Sequence, residues 1–434
     1  MNYEETLEYL FSRLPMYQRI GKAAYKADLK TTIALDNYSG NPHKRFRSVH
    51  IAGTNGKGSV SHMIASVLQS AGYKTGLYTS PHLTDFRERI RINGKPVRKN
   101  FVTSFTGSHR TLFEKLRPSF FEMTVAMAFN CFASEKVDIA VIETGMGGRL
   151  DSTNIITPLV SVITNIGLDH TEFLGGSLQE IAREKAGIIK KGVPVVIGEK
   201  QPETTSIFEE RAAGLNSAIS FASEKYTIGF ATHTTEGLQS LNIKAGWNNL
   251  ETDLLGFYQQ KNVVTVLHTI DVLREKSIKI SRDAVYNGMR QVVTATGLKG
   301  RWQVAGSNPL VVYDTAHNAD GIEAVLGQIR ATPHRHLHMV LGFVNDKNTG
   351  EILRILPASA TCYFTMASIP RSLDAVELRS RALATGLSGK AFRTVPDAVS
   401  AALAAAGPDD LIFVGGSTFV VADAAGGPLP FTHT

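Results

Sequence analysis

At 434 residues, with 43% hydrophobic and 20% charged residues, the chain has the composition of a soluble globular protein and exceeds what one core usually organises, so two domains are expected. The net charge of +7 suits small anionic ligands, while no Lys/Arg run argues for nucleic acid and no apolar run reaches membrane-spanning length. Two cysteines far apart in sequence, Cys131 and Cys362, point to a reducing compartment without disulfides, and the acidic residues 1–5 lack a signal pattern, so a cytoplasmic protein is expected.

Residues 2–14 place Leu7, Leu10, Phe11 and Leu14 on one helical face, with Pro15 ending it, and 21–37 give a second helical stretch. A short β-branched run ending at Ile51 then leads into Gly53-Thr54-Asn55-Gly56-Lys57-Gly58-Ser59. Beyond it Val60, Ile64, Val67 and Leu68 recur at helical spacing, so the glycines sit at a strand-to-helix turn. Glycine lets successive NH groups converge on one anion, the helix N-terminus adds partial positive charge, and Lys57 adds a full one. Ser59 offers a hydroxyl to a phosphate-bound magnesium. The spelling departs from the common phosphate loop G-x-x-x-x-G-K-[ST], because Gly53 stands three residues before Gly56 and Gly58 separates Lys57 from Ser59.

Gly72 reads as a helix C-terminal cap and 74–79 as the next strand, which delivers Ser80-Pro81-His82-Leu83; Asn93-Gly94 reads as a hairpin turn. A largely apolar helix opens at Phe120 with Glu122 in its first turn. The buried-strand run 137–142 ends on Glu143, followed by Gly145, Gly147 and Gly148, and a carboxylate there is placed for a metal at the crevice of a parallel sheet. The run 159–164 repeats the design. Its loop carries Asp169 and His170, which falls next to Glu143 if the two strands are neighbours. Ser177 and Glu180 form a capping box for the helix that carries Lys185. From about 201 to 260 a helix and short alternating strands follow, Asn262 reads as a helix N-cap, and a helix from Ser281 to Val293 precedes a linker over 294–302. Strand-like runs at 310–313, 338–341 and 411–414 then alternate with helices. His334, His336 and His338 read as solvent-side positions of a strand entrance. The fold expected is α/β: an N-terminal phosphate-loop domain with a mainly parallel sheet over 1–296, and a smaller Rossmann-like α/β domain over 297–434.

The loop's spelling resembles that of the Mur-type ATP-dependent amide ligases, and most closely the folylpolyglutamate synthase/dihydrofolate synthase family. Further segments are similar and in family order: Ser80-Pro81-His82-Leu83, Phe121-Glu122-Met123-Thr124, the Glu143 loop, Asp169-His170, Glu184-Lys185-Ala186-Gly187, the 258–262 segment, Arg301, and Asp314-Thr315-Ala316-His317-Asn318. Thr315 stands where glycine is usual, and Asn348 replaces the last aspartate of a D-K-D stretch at 346–348. Residues 18–22 resemble a basic pterin-side loop.

The resemblance implies two domains with ATP in the cleft between them. It implies amide formation through an acyl phosphate attacked by the amino group of L-glutamate, with dihydropteroate or a reduced folate as acceptor. Nucleotide contacts are implied at Gly53, Thr54, Asn55, Gly56, Lys57, Gly58, Ser59, Asn262, Arg301 and Asp314. Two magnesium ions would be held by Ser59, Ser80, Glu143, His170 and Lys185, the last as a carbamate, with catalytic roles for Lys57, Lys185 and His317. A monomer without nucleic-acid or membrane partners is expected. A muramoyl-peptide ligase would carry a nucleotide-sugar domain ahead of the loop, for which the 52 residues before Gly53 are too few. A phosphate-loop kinase would need neither the 314–318 motif nor a metal-site lysine.

Overall fold

The computed structural model describes residues 1–14, 28–345 and 349–426, so the segments 18–22 and 346–348 singled out above lie outside the described residues. The chain divides into two compact units, one made of Met1–His82, Arg87–Leu255 and Gln259–Leu298, the other of Leu83–Phe86, Gly256–Tyr258 and Lys299–Thr434.

The first unit is built on strands β1 (Arg47–Ala52), β2 (Thr75–Tyr78), β3 (Ile90–Ile92), β4 (Lys95–Pro96), β5 (Ile139–Glu143), β6 (Val160–Ile163), β7 (Val195–Ile197) and β8 (Ile219–Phe221), in the order β4-β3-β2-β5-β1-β6-β7-β8. The strands from β2 to β8 along this order pair in parallel, while β3 and β4 continue the sheet antiparallel. β1 is buried from Ser48 onward, as expected of a strand covered on both faces. The helix Lys57–Ser70 packs Val60, Ile64 and Leu68 into one core with Val49, Ile51, Val141 and Val162 of the sheet and Val263 and Leu267 of the helix Gln259–Glu275. The helix Arg282–Arg290 approaches so closely that a Cβ on Gly288 would lie 2.5 Å from Val67 Cα, and Ser66 Oγ donates to Gly288 O at 2.6 Å. A three-stranded antiparallel sheet of β9 (Ile228–His233), β10 (Gln239–Ile243) and β11 (Trp247–Thr252) adds Leu241, Trp247 and Leu250 to the same core.

The second unit holds β12 (Gln303–Ser307), β13 (Leu310–Tyr313), β14 (Leu337–Leu341), β15 (Thr361–Phe364), β16 (Ser388–Ala391) and β17 (Leu411–Gly415), in the order β12-β13-β17-β14-β15-β16. Only β12 runs antiparallel to its neighbour, and Val340, Ile412, Val414, Ala398 and Ala402 form part of its core.

Three local expectations are corrected, and Glu122 is found in the first helical turn where it was expected. The stretch assigned to a linker begins inside a helix, Val292–Thr296, whose first turn donates from Val293 N to the half-buried Asp253 at 2.9 Å. Asn262 is not an N-cap, because the helix already starts at Gln259. Glu122 closes a capping box with Ser119, accepting from Ser119 N at 2.7 Å, so its carboxylate serves the helix end. His338 is buried rather than solvent-facing, held between the Tyr363 hydroxyl at 3.0 Å and Asp410 Oδ2 at 3.3 Å.

Candidate functional site

In the first unit the functional groups gather at the C-terminal end of β1. β1 lies between β5 and β6; the chain leaving β1 passes β5 to reach β2, whereas the chain leaving β5 passes β1 to reach β6, so the turn after β1 lies at a topological switch point of the sheet, where open α/β sheets hold ligands. Residues 53–56 form that turn. Gly53 has φ +148° and Gly56 φ +82°, both left-handed, and a Cβ on either would collide: at 1.8 Å with Thr164 Oγ1 for Gly53, and at 2.3 Å with Asn262 Oδ1 for Gly56. These glycines are therefore required by close approach as well as by backbone conformation.

The end of β6 holds the loop's other side. Thr54 N donates to Asn165 O at 3.0 Å, Asn55 N to Asn165 Oδ1 at 2.9 Å, and Thr164 Oγ1 to Asn55 O at 2.6 Å. Gly56 caps the helix Lys57–Ser70, whose first turn carries Gly58 and the buried Ser59, so the NH groups of that turn open toward the loop.

Two ammonium groups converge on one carbonyl. Lys57 Nζ donates to Gly53 O and Thr54 O, both at 3.1 Å, and Lys185 Nζ donates to Gly53 O at 2.8 Å. Lys185 is only 4% exposed, which discards a surface lysine paired with a neighbouring carboxylate. Burial, reinforced by the charge of Lys57 and opposed by Asp169 and Asp151, brings its pKa down to about 7.

Ser80 and Glu143 are also brought together. Tyr78 of β2 pairs with Ile142 of β5, so the chain leaving β2 passes the end of β5, and Ser80 N donates to Glu143 Oε2 at 3.1 Å. His170 does not fall beside Glu143. β1 lies between β5 and β6, so the two residues flank the phosphate loop from opposite sides. His170 caps the short helix Thr171–Leu174 with φ +51° and donates its backbone N–H to Asp169 Oδ1 at 2.8 Å. Among the described residues no three His, Cys, Asp or Glu side chains cluster at metal-binding spacing. A metal here would draw on the mixed set of Ser59 and Ser80 hydroxyls, the Glu143 carboxylate, His170 and Lys185. The hydroxyl and carboxylate oxygens of this set suit magnesium, whereas the Lys185 amine, which donates to Gly53 O, does not as it stands.

The second unit carries the other candidates at the end of β13. Asp314 is buried and engaged at both oxygens: Oδ2 accepts from the Tyr258 hydroxyl at 2.5 Å and Trp302 N at 2.7 Å, and Oδ1 from Ala316 N at 2.9 Å. Burial pushes its carboxyl pKa up, against the Arg301 charge and these hydrogen bonds. Arg301 Nη1 donates to Thr315 Oγ1. His317 Nδ1 lies 2.9 Å from Thr315 O and must be the protonated nitrogen there, because a carbonyl only accepts.

Two residues of the first unit were not singled out from the sequence. Asn165 follows the same strand-end logic that selected Glu143 and was within reach of it. Arg89 was not, since nothing in the sequence distinguishes it from a surface arginine. It is buried, lies over the Phe120 ring and donates Nε–H to His82 Nδ1 at 2.8 Å.

Residues 51–270 match the Mur ligase middle domain and residues 300–418 the Mur ligase glutamate ligase domain. The chain is also 33% identical over 405 residues to the dihydrofolate synthase/folylpolyglutamate synthase of Bacillus subtilis, covering 88% of this chain and 91% of that protein. The chain belongs to the folylpolyglutamate synthase/dihydrofolate synthase family of the Mur ligases. Among solved structures, this Mur ligase chain is similar to E. coli FolC in complex with DHPP and ADP (TM-score 0.85, 29% identity, 98% and 97% of the two chains covered). It is likewise similar to a bifunctional folylpolyglutamate synthase/dihydrofolate synthase with Mn, AMPPNP and L-glutamate bound (TM-score 0.83, 26% identity, 98% and 97% covered). A probable bifunctional folylpolyglutamate synthase/dihydropteroate synthase of Haloferax volcanii is 33% identical over 437 residues, or 98% of this Mur ligase chain, which spans half that relative's length.

Proposed function

We propose that the chain is an ATP-dependent ligase that joins L-glutamate to the carboxylate of dihydropteroate or a reduced folate. The observation that carries this reading is the convergence of Lys57 and Lys185 on Gly53 O, at the end of β1 and beneath a glycine turn opening on a helix N-terminus. An incoming polyphosphate competes with that carbonyl for the Lys57 ammonium. The relatives bound to ADP, or to Mn, AMPPNP and L-glutamate, support the same substrates here.

A carboxylate does not condense with an amine in water without activation. Its oxygen attacks the γ-phosphorus of ATP and ADP leaves. The neutral amine of glutamate then attacks the acyl carbon, phosphate departs, and one proton is released. Lys57 and the loop NH groups neutralise charge on the migrating phosphoryl group, and Arg301 adds a further cation. Thr54, Asn55, Gly58, Asn262 and Asp314 complete the nucleotide contacts, and His317 acts at the acyl centre. Ser59, Ser80, Glu143, His170 and Lys185 as a carbamate would hold two magnesium ions, which would supply Lewis-acid stabilisation of the phosphates. The enzyme works as a monomer in the cytoplasm, where the buried thiols of Cys131 and Cys362 stay reduced.

Glutamate-dependent ADP release, measured with each pterin acceptor, tests the reaction. Lys57→Ala should abolish it without unfolding the chain, since Lys57 contacts loop carbonyls rather than core. ADP release that needs no glutamate would favour a kinase, and a fully active Lys57→Ala protein would overturn the loop assignment.

A further inference from the structure

We propose that Thr315 is a positioning residue, whose hydroxyl fixes the Arg301 guanidinium before nucleotide arrives. The proposal rests on the assignment of Arg301 as a nucleotide phosphate contact made above. Thr315 lies two residues beyond the end of β13 and is buried, and its side chain is committed on both sides. Its hydroxyl donates to Gly300 O at 3.1 Å and accepts from Arg301 Nη1, while its backbone N–H donates to the same Gly300 O at 3.0 Å. A guanidinium only donates, so the hydroxyl proton goes to Gly300 and the oxygen lone pair faces Arg301.

The geometry holds that hydroxyl in one rotamer. A Cβ on Gly300, at φ +68°, would lie 2.7 Å from Thr315 Cγ2, so the methyl is seated against Gly300 while a β-branched side chain has little χ1 freedom left. Asp314 attracts Arg301 through its charge, but its oxygens are already taken by Tyr258, Trp302 and Ala316. Thr315 therefore supplies the directional contact. With glycine at this position no hydroxyl would exist, and the arginine would be ordered only when phosphate bound. Ordering one arginine on binding rather than beforehand corresponds to roughly two- to tenfold in affinity.

ADP binding to the full chain, measured by titration calorimetry, tests this. Thr315→Val keeps the shape and removes the hydroxyl, so it should weaken ADP about two- to tenfold. Thr315→Ser, which restores the hydroxyl, should bind within about twofold of wild type, and Thr315→Val should add nothing when introduced into Arg301→Ala. Wild-type affinity in Thr315→Val beside a weakened Arg301→Ala would overturn the positioning role alone. An equal loss from Thr315→Val in both backgrounds would show that threonine acts on the fold instead. Wild-type affinity in Arg301→Ala would remove the phosphate assignment itself.

Discussion

Replacing Lys185 by methionine removes a buried amine whose pKa is brought down to about 7, and two measurable consequences follow from that value. Carbamate formation consumes carbon dioxide and a neutral amine. At pH 7.5 an amine of pKa near 7 is roughly three-quarters neutral, whereas at the solvent value of 10.5 only about one molecule in a thousand is. Burial thus raises the reactive fraction at pH 7.5 by roughly several-hundredfold. Protein equilibrated with carbon-13 bicarbonate at pH 7.5 should show a carbamate resonance that Lys185→Met lacks, and it should fade toward pH 6, where roughly a tenth of the amine is neutral. In carbonate-free buffer the sign of the pH effect on stability is also set. The unfolded chain holds the lysine proton more tightly, so wild-type stability rises with pH between about 7 and 10.5, by at most about 1.4 kcal/mol per pH unit, and Lys185→Met loses that slope. Urea titrations across this range measure the difference. A carbamate-free wild type that ligates at full rate, together with an active Lys185→Met protein, would refute the reasoning.

Gly53→Ala forces a Cβ to within 1.8 Å of Thr164 Oγ1 and must break the bond from Thr164 to Asn55 O; about 1–3 kcal/mol of stability and most ADP affinity should be lost, and calorimetry finding unchanged affinity would count against the close-approach argument. Glu143→Gln and His170→Ala should each raise the magnesium concentration that gives half-maximal ligation; wild-type dependence in both would remove the metal assignment. The Asp253 carboxyl is pushed up to about 6 by burial, against the N–H groups of 292–294. Its folded pKa exceeds the unfolded one, so the stability it contributes is present below about pH 4 and lost as pH rises through 6. Against Asp253→Asn, wild type should fall behind by about 1–3 kcal/mol between pH 4 and 7, and parallel denaturation curves would contradict this.

The central strands of both units were legible because parallel strands buried on two faces are written as unbroken apolar runs, as 139–142 and 411–414 are, whereas β12, β15 and β16 were not singled out. Gly53 and Gly56 were legible through their turn chemistry, although the partners that make them obligatory, Thr164 and Asn262, were not. Strand order is the part that sequence spacing does not carry. His170 was set beside Glu143 on the assumption that consecutive strands are neighbours, whereas β1 inserts between β5 and β6. Burial was the second blind spot: the histidine alternation at 334–338 says nothing of Tyr363 and Asp410, which enclose His338, and Arg89 became visible only with His82 and Phe120 around it.

The insertion of β1 between β5 and β6 also sets a schedule for synthesis. The phosphate turn leaves the ribosome early, but Thr164 and Asn165, which bond Asn55, follow 109 and 110 residues later, and Asn262 later still. β1 gains its first neighbour only when β5 is made at 139–143 and its second with β6 at 160–163, so the nascent chain carries an unpaired apolar strand in the interval between residues 52 and 139. Asn262, whose side chain closes against Gly56, is made last of these partners, so the turn is complete only once more than half of the chain has emerged.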